Sequence, residues 1–331
     1  MRALGEVGNR IVDLGAQGVA IFFVISGYSV AASYATSEGY WDYLYKRLWR
    51  IAPLYYFWIG VAIIVGATAT YWQRRFAVSV EAYNILMHLS FLSFLDYKIA
   101  NTLLGVEWSI PIEVFWYLFI PLLMCWMISR KQLVIAIFLS LICYKLAVKY
   151  LTTLVAPIQD AALAIPWSPI PYALGFFLGI AAFRIRNYGD HFARWGNVML
   201  IVVFGMISFL ILKPTSSILM LDDYQFFSMA TFLLILFGSS SSQLFRCKFT
   251  NKIVVYLGTI SYGIYLCHLP LINILTRLNL IYPDSLGLAF LILLGCSILV
   301  STVTYFIIER PGQHIGKLFY SRYKIRFHNA V

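Results

Sequence analysis

Nine long apolar runs divide the chain, near residues 16–35, 51–70, 110–128, 132–152, 165–183, 197–213, 226–242, 253–276 and 286–308. Each is close to the ~20 residues that a helix needs to cross the hydrocarbon core of a bilayer. Polar and charged residues gather between the runs. The stretch 84–95 (NILMHLSFLSFL) has only twelve residues and reads as interfacial or re-entrant rather than spanning. The pattern predicts an all-α polytopic membrane protein with about nine transmembrane helices. There is no internal repeat and no low-complexity segment. An inverted-repeat transporter would show paired, broken helices in its two halves. The expected organisation is one transmembrane domain over 1–331, with a polar N-terminal segment at 1–15 and a basic cytoplasmic tail at 312–331.

Composition agrees. The chain is 61% hydrophobic and only 12% charged, against roughly 25% charged residues in a soluble domain. No hydrophilic stretch reaches the ~50 residues of a separate domain. The net charge of +11 does not call for a nucleic-acid partner, because of where the bases lie. With the C-terminus in the cytoplasm, the inner segments 36–50, 129–131, 184–196, 243–252 and 309–331 hold sixteen of the 25 lysines and arginines. They hold only four acids: Glu38, Asp42, Asp190 and Glu309. The outer side carries nine bases and nine acids, Glu81, Asp96 and Glu107 among them. This is the bias of the positive-inside rule. Nine spans then place residue 1 outside, although residues 1–15 carry Arg2, Glu6, Arg10 and Asp13 and do not resemble a signal peptide. A further helix ahead of residue 1 would give ten spans with both ends inside, and that is the expectation. The five cysteines (Cys125, Cys143, Cys247, Cys267 and Cys296) have no metal or disulfide spacing and read as packing residues. No metal site is expected.

Candidate chemistry lies inside the apolar runs. Glu113 is the one charge in Ile110–Ile128. A carboxylate at that depth is costly and usually serves a polar cavity. Ser109, Glu113 and Tyr117 recur at every fourth residue and share one helix face, with Trp108, Ile112 and Trp116 beside it. Pro111 suits the first turn, so the helix is expected to start near Trp108. The trio offers a hydroxyl, a carboxyl and a phenol for general acid–base work; the alternative is a Glu113 ion pair that locks two helices. His268 lies ~24 Å along its helix from Lys252, at a depth like that of Glu113, and is either a second member of the site or a histidine bonded to a backbone carbonyl. Arg47 and Arg50, three apart at the cytoplasmic mouth, can clamp the phosphates of a nucleotide-bearing donor such as coenzyme A, or anchor to headgroups. Ser26-Gly27 reads as a close helix contact rather than a nucleophile. Glu309-Arg310-Pro311 reads as a helix stop with a local ion pair. His88 is a weak candidate, and His191, His314 and His328 read as solvated.

Five phrases in order resemble the membrane-bound acyltransferase family 3, whose members O-acylate surface polysaccharides and other extracytoplasmic acceptors. They are Gly18-Val19-Ala20-Ile21-Phe22-Phe23-Val24-Ile25-Ser26-Gly27-Tyr28, Arg47-Leu48-Trp49-Arg50-Ile51-Ala52-Pro53-Leu54-Tyr55, Trp108-Ser109-Ile110-Pro111-Ile112-Glu113 with Trp116-Tyr117-Leu118, Leu257 to Pro270 around Ile260-Ser261-Tyr262 and His268, and Glu309-Arg310-Pro311. The resemblance implies an integral membrane enzyme of the bacterial cytoplasmic (inner) membrane. Such an enzyme moves an acyl group, acetyl above all, from acyl-CoA to a hydroxyl of a carbohydrate or lipid-linked glycan such as exopolysaccharide or O-antigen. Acyl-CoA is then a co-substrate and no cofactor is bound. The expected catalytic residues are Glu113, His268, Ser109 and Tyr117, and the donor side is Arg47, Arg50, Tyr55 and Trp108. The family's first helix also carries an arginine and, ten residues on, a histidine used in transfer. Residues 1–17 hold no counterpart, which agrees with an expected upstream helix. The competing readings are a proton-coupled transporter or flippase of an anionic or lipid-linked substrate, and a non-catalytic fragment.

Overall fold

The computed structural model describes residues 8, 10, 14–151, 160, 165–186, 195–212, 222–238, 250–282 and 286–328. His191 and Cys247 fall outside them, as does most of the segment 1–15. The described residues are helical, with no strand among them. Helices α1 Gly18–Ala35, α2 Tyr40–Ile64, α3 Thr70–Phe76, α4 Ala82–Leu89, α5 Ser109–Trp126 and α6 Arg130–Leu146 make the first half. Helices α7 Ala173–Ile185, α8 Gly196–Leu212, α9 Asp223–Gly238, α10 Lys252–Arg277, α11 Leu286–Thr304 and α12 Arg310–His328 make the second. Among the described residues, four stretches are long and apolar enough to cross a membrane: Gly18–Ala35, Ser109–Trp126, Lys252–Arg277 and Leu286–Tyr320. The apolar side chains Leu288, Phe290, Leu291 and Leu299 of α11 stay exposed. A contiguous bare surface of that kind suits lipid rather than water.

The chain forms two compact units. The first comprises Met1–Thr36 and Phe119–Asn251. Its central contact is α1 against α7, and the small residues explain it. A methyl group on Gly27 would fall 2.5 Å from the carbonyl oxygen of Phe176, and one on Gly179 would fall 2.3 Å from that of Val24. Only glycine lets the two backbones approach so closely. The Phe23 ring then packs at a tilt against Tyr172 and Phe176, with centroids 4.7 and 5.3 Å away. Helix α6 starts at a capping box, in which Ser129 and Gln132 satisfy each other's backbone N–H. Arg10 pairs with Asp223 at 2.8 Å and also reaches the Leu210 carbonyl, so part of the polar N-terminal segment is a fixed structural element.

The second unit comprises Ser37–Leu118 and Lys252–Val331. Helix α2 begins eleven residues ahead of the apolar run at 51, because Tyr43, Leu44 and Arg47 extend its buried face upstream. Helix α4 is eight residues long and followed by a 3₁₀ turn, Ser93–Leu95. The short run 84–95 is thus not one spanning helix. The expected stop at Glu309-Arg310-Pro311 is corrected. The last helix passes through a π turn at Tyr305–Glu309 and continues as α12. A proline deprives the carbonyl four residues back of its donor. The altered hydrogen-bond register of the π turn removes the conflict that Pro311 would otherwise create.

Candidate active site

Within the second unit, the first turns of α5 carry the expected trio. Tyr117 donates from its hydroxyl to Glu113 Oε1 at 2.7 Å, and both side chains are buried. The pair is the one that a spacing of four along a helix allows. Tyr43 of α2 donates to the Tyr117 carbonyl at 3.1 Å and so ties the α2 face to the Tyr117 turn. Four residues on, that face presents Arg47. Arg47 is buried at 7% exposure, whereas Arg50 is exposed. Both guanidiniums lie within electrostatic reach of the Tyr117 hydroxyl. The fully buried Tyr55 belongs to the same helix. From α10, Tyr262 donates to the Ile51 carbonyl at 3.0 Å. Its hydroxyl interacts electrostatically with Glu113, Tyr55, Glu309 and Tyr117.

Ser109 and His268 form an adjacent group. The Ser109 and Tyr265 hydroxyls are 2.8 Å apart, and Tyr265 donates to the Val106 carbonyl at 2.5 Å. One helical turn on, His268 Nδ1 lies 2.7 Å from the Tyr265 carbonyl. A carbonyl can only accept, so Nδ1 carries the proton and Nε2 has the lone pair in the neutral ring. Glu113 lies one turn, ~5.4 Å along the axis, beyond Ser109, and it acts on Tyr265 electrostatically. The half-buried His268 thus makes the backbone-carbonyl bond that the sequence allowed as one alternative, and its ring centre lies 6.0 Å from that of Tyr265. Trp108 sits half-buried just ahead of α5, as expected.

The sequence reading missed a polar layer between α2 and α5. Glu107, expected among the outer acids, is fully buried, as is His88. His88 Nε2 lies 3.5 Å from Glu107 Oε1, and Oε1 accepts the Leu103 N–H at 2.6 Å. His88 Nδ1 bonds the Asn84 carbonyl at 2.8 Å, and the Asn84 amide donates to Thr102 Oγ1 at 2.9 Å. Gly105 turns the chain here with φ +86°, and a methyl on it would meet Leu269 at 2.9 Å. Nothing in the spacing of 88 and 107 signals the pair, because the residues between them follow no helical period. Glu107→Ala strands the Leu103 N–H away from water and should cost ~1–3 kcal/mol; thermal unfolding in detergent measures it. Among the described residues, no group of three or more His, Cys, Asp or Glu side chains could hold a metal ion.

A buried carboxyl–phenol pair with two guanidiniums in electrostatic reach thus sits inside an apolar helical protein. A family model described as an acyltransferase domain (Acyl_transf_3) matches residues 4–306, and the chain belongs to that family of acyltransferases. A relative from Acidianus two-tailed virus, provisionally named acetyltransferase ORF330, is 27% identical over 287 residues. The match covers 82% of this chain and 78% of the relative. No solved structure matches the chain.

Proposed function

We propose that the protein moves an acyl group, acetyl in the first instance, from acyl-CoA to a hydroxyl of an extracytoplasmic carbohydrate or lipid-linked glycan. The observation that carries the proposal is the buried Tyr117–Glu113 pair within electrostatic reach of Arg47 and Arg50. In this reading the chain spans a cytoplasmic membrane nine times or more, with its C-terminus inside. The donor docks at the cytoplasmic mouth, its phosphates on exposed Arg50 and its acyl end directed inward past Arg47 and Tyr55. The acceptor hydroxyl enters from the other side, near Ser109, Tyr265 and His268. Glu113, held in one orientation by Tyr117, takes the hydroxyl proton as the oxygen attacks the acyl carbon. His268 Nε2 is placed to orient the acceptor through its lone pair.

Labelled acetyl-CoA supplied to membranes carrying the protein tests this reading. Label should enter a glycan or glycolipid fraction, and its failure to leave coenzyme A would refute the proposal. Arg50→Ala should raise KM for acetyl-CoA ~10-fold with little change in kcat. One charge-assisted hydrogen bond is worth ~1.5–3 kcal/mol, and about 1.4 kcal/mol is tenfold in affinity. Proton-driven uptake of an unmodified anion would favour a transporter instead.

A further inference from the structure

The π turn at Tyr305–Glu309 sets which side chains of the last helix meet α2. Such turns recur at functional sites. Beyond it, a methyl on Gly312 would fall 2.7 Å from Pro53, and one on Gly316 would fall 2.5 Å from the Trp49 side chain. This close approach holds Glu309, one turn before Gly312, beside the Arg50 stretch of α2. The Glu309 side chain is only 4% exposed. Its Oε1 accepts from Gln313 Nε2 at 3.2 Å, while its buried Oε2 has no hydrogen-bond partner among the described residues. Arg50 lies within electrostatic reach of it. The Tyr262 hydroxyl feels both Glu309 and Glu113. The Tyr262 proton is itself committed to the Ile51 carbonyl of α2 at 3.0 Å, one residue beyond Arg50.

Acyl transfer removes one proton, from the acceptor, and needs another, at the leaving sulfur. The hydroxyl proton leaves the acceptor at Glu113, while the thiolate of coenzyme A departs on the cytoplasmic side, where Arg50 and Glu309 sit. We propose that Glu309 is the general acid of the reaction. The proposal rests on the acyltransfer reading above. The step balances. The acceptor oxygen bonds to the acyl carbon and its proton passes to Glu113. The carbon–sulfur bond breaks and the proton of Glu309 passes to sulfur. Glu113 then gives its proton to water on the acceptor side and Glu309 takes one from water on the cytoplasmic side, which restores both groups.

Glu309→Gln tests this, since the amide keeps the shape and cannot act as an acid. With the full chain in membranes and labelled acetyl-CoA as donor, kcat should fall about 10²-fold, the lower range for loss of a general acid. KM for acetyl-CoA should stay within about twofold, and Glu309→Asp should recover part of the rate. A raised KM with kcat intact would mean that Glu309 only props Arg50, and full activity would mean that it has no part; either overturns the proposal. Should the Gln variant fail to fold, Glu309→Asp, which draws the acid back by one methylene, must itself lower kcat at unchanged KM, and an unchanged kcat there overturns the proposal. Failure of the unaltered protein to transfer label at all refutes the acyltransfer reading and the acid role of Glu309 with it. That result is distinct from an active parent beside an equally active Gln variant.

Discussion

Glu113→Gln should abolish acyl transfer, by ~10²–10⁴-fold, in a protein that still inserts and melts normally. General-base catalysis is worth about that factor. The substitution is close to isosteric, and the amide oxygen can still accept the Tyr117 hydroxyl that now lies 2.7 Å from Oε1. The loss should appear in kcat, because Arg47 and Arg50 remain to bind the donor. If Glu113 instead only locked α5 to a neighbour, the variant would melt earlier and any residual folded protein would keep its rate. Label transfer from acetyl-CoA, measured beside a detergent melting curve, separates the two outcomes.

Gly179→Ala should be the most damaging single-carbon change in the first unit. The new methyl would sit 2.3 Å from the Val24 carbonyl oxygen, 2.5 Å from the Tyr28 nitrogen and 2.8 Å from the Gly27 carbonyl carbon. All three are backbone atoms of α1, so no side-chain rotation relieves the clash and the helices must separate. Overpacking of this kind costs ~1–3 kcal/mol and more where the backbone must move; about 3 kcal/mol is expected here. Gly205 in α8 supplies the control, since a methyl there meets nothing within 4 Å. Gly205→Ala should be neutral or gain up to ~1 kcal/mol from helix propensity. Unfolding of both variants in the same detergent gives the comparison.

How far the sequence reaches depends on whether a feature is periodic. Apolar runs found the main helices, because a lipid-facing helix must be apolar along its length. The spacing of Ser109, Glu113 and Tyr117 placed the carboxyl–phenol pair. Arg47 and Arg50 were both legible as candidates from their spacing. Their unequal burial was not, since it depends on the face that Tyr43 turns towards Tyr117. The buried Glu107 was misplaced because a carboxylate beside an apolar run looks the same whether it faces water or folds under a loop. Pro311 was read as a breaker because a proline carries no sign of the π turn before it. Ser26-Gly27 was legible as a contact, and its partner in α7 was not.

The layer of Asn84, His88, Thr102 and Glu107 has a consequence for anyone redesigning this protein. Each member satisfies a neighbour, so none has an independent contribution that can be optimised alone. Moving this layer onto another scaffold therefore means transplanting the chain from Ser79 to Ser109 as one cassette, with the Leu269 surface that receives Gly105 carried along with it.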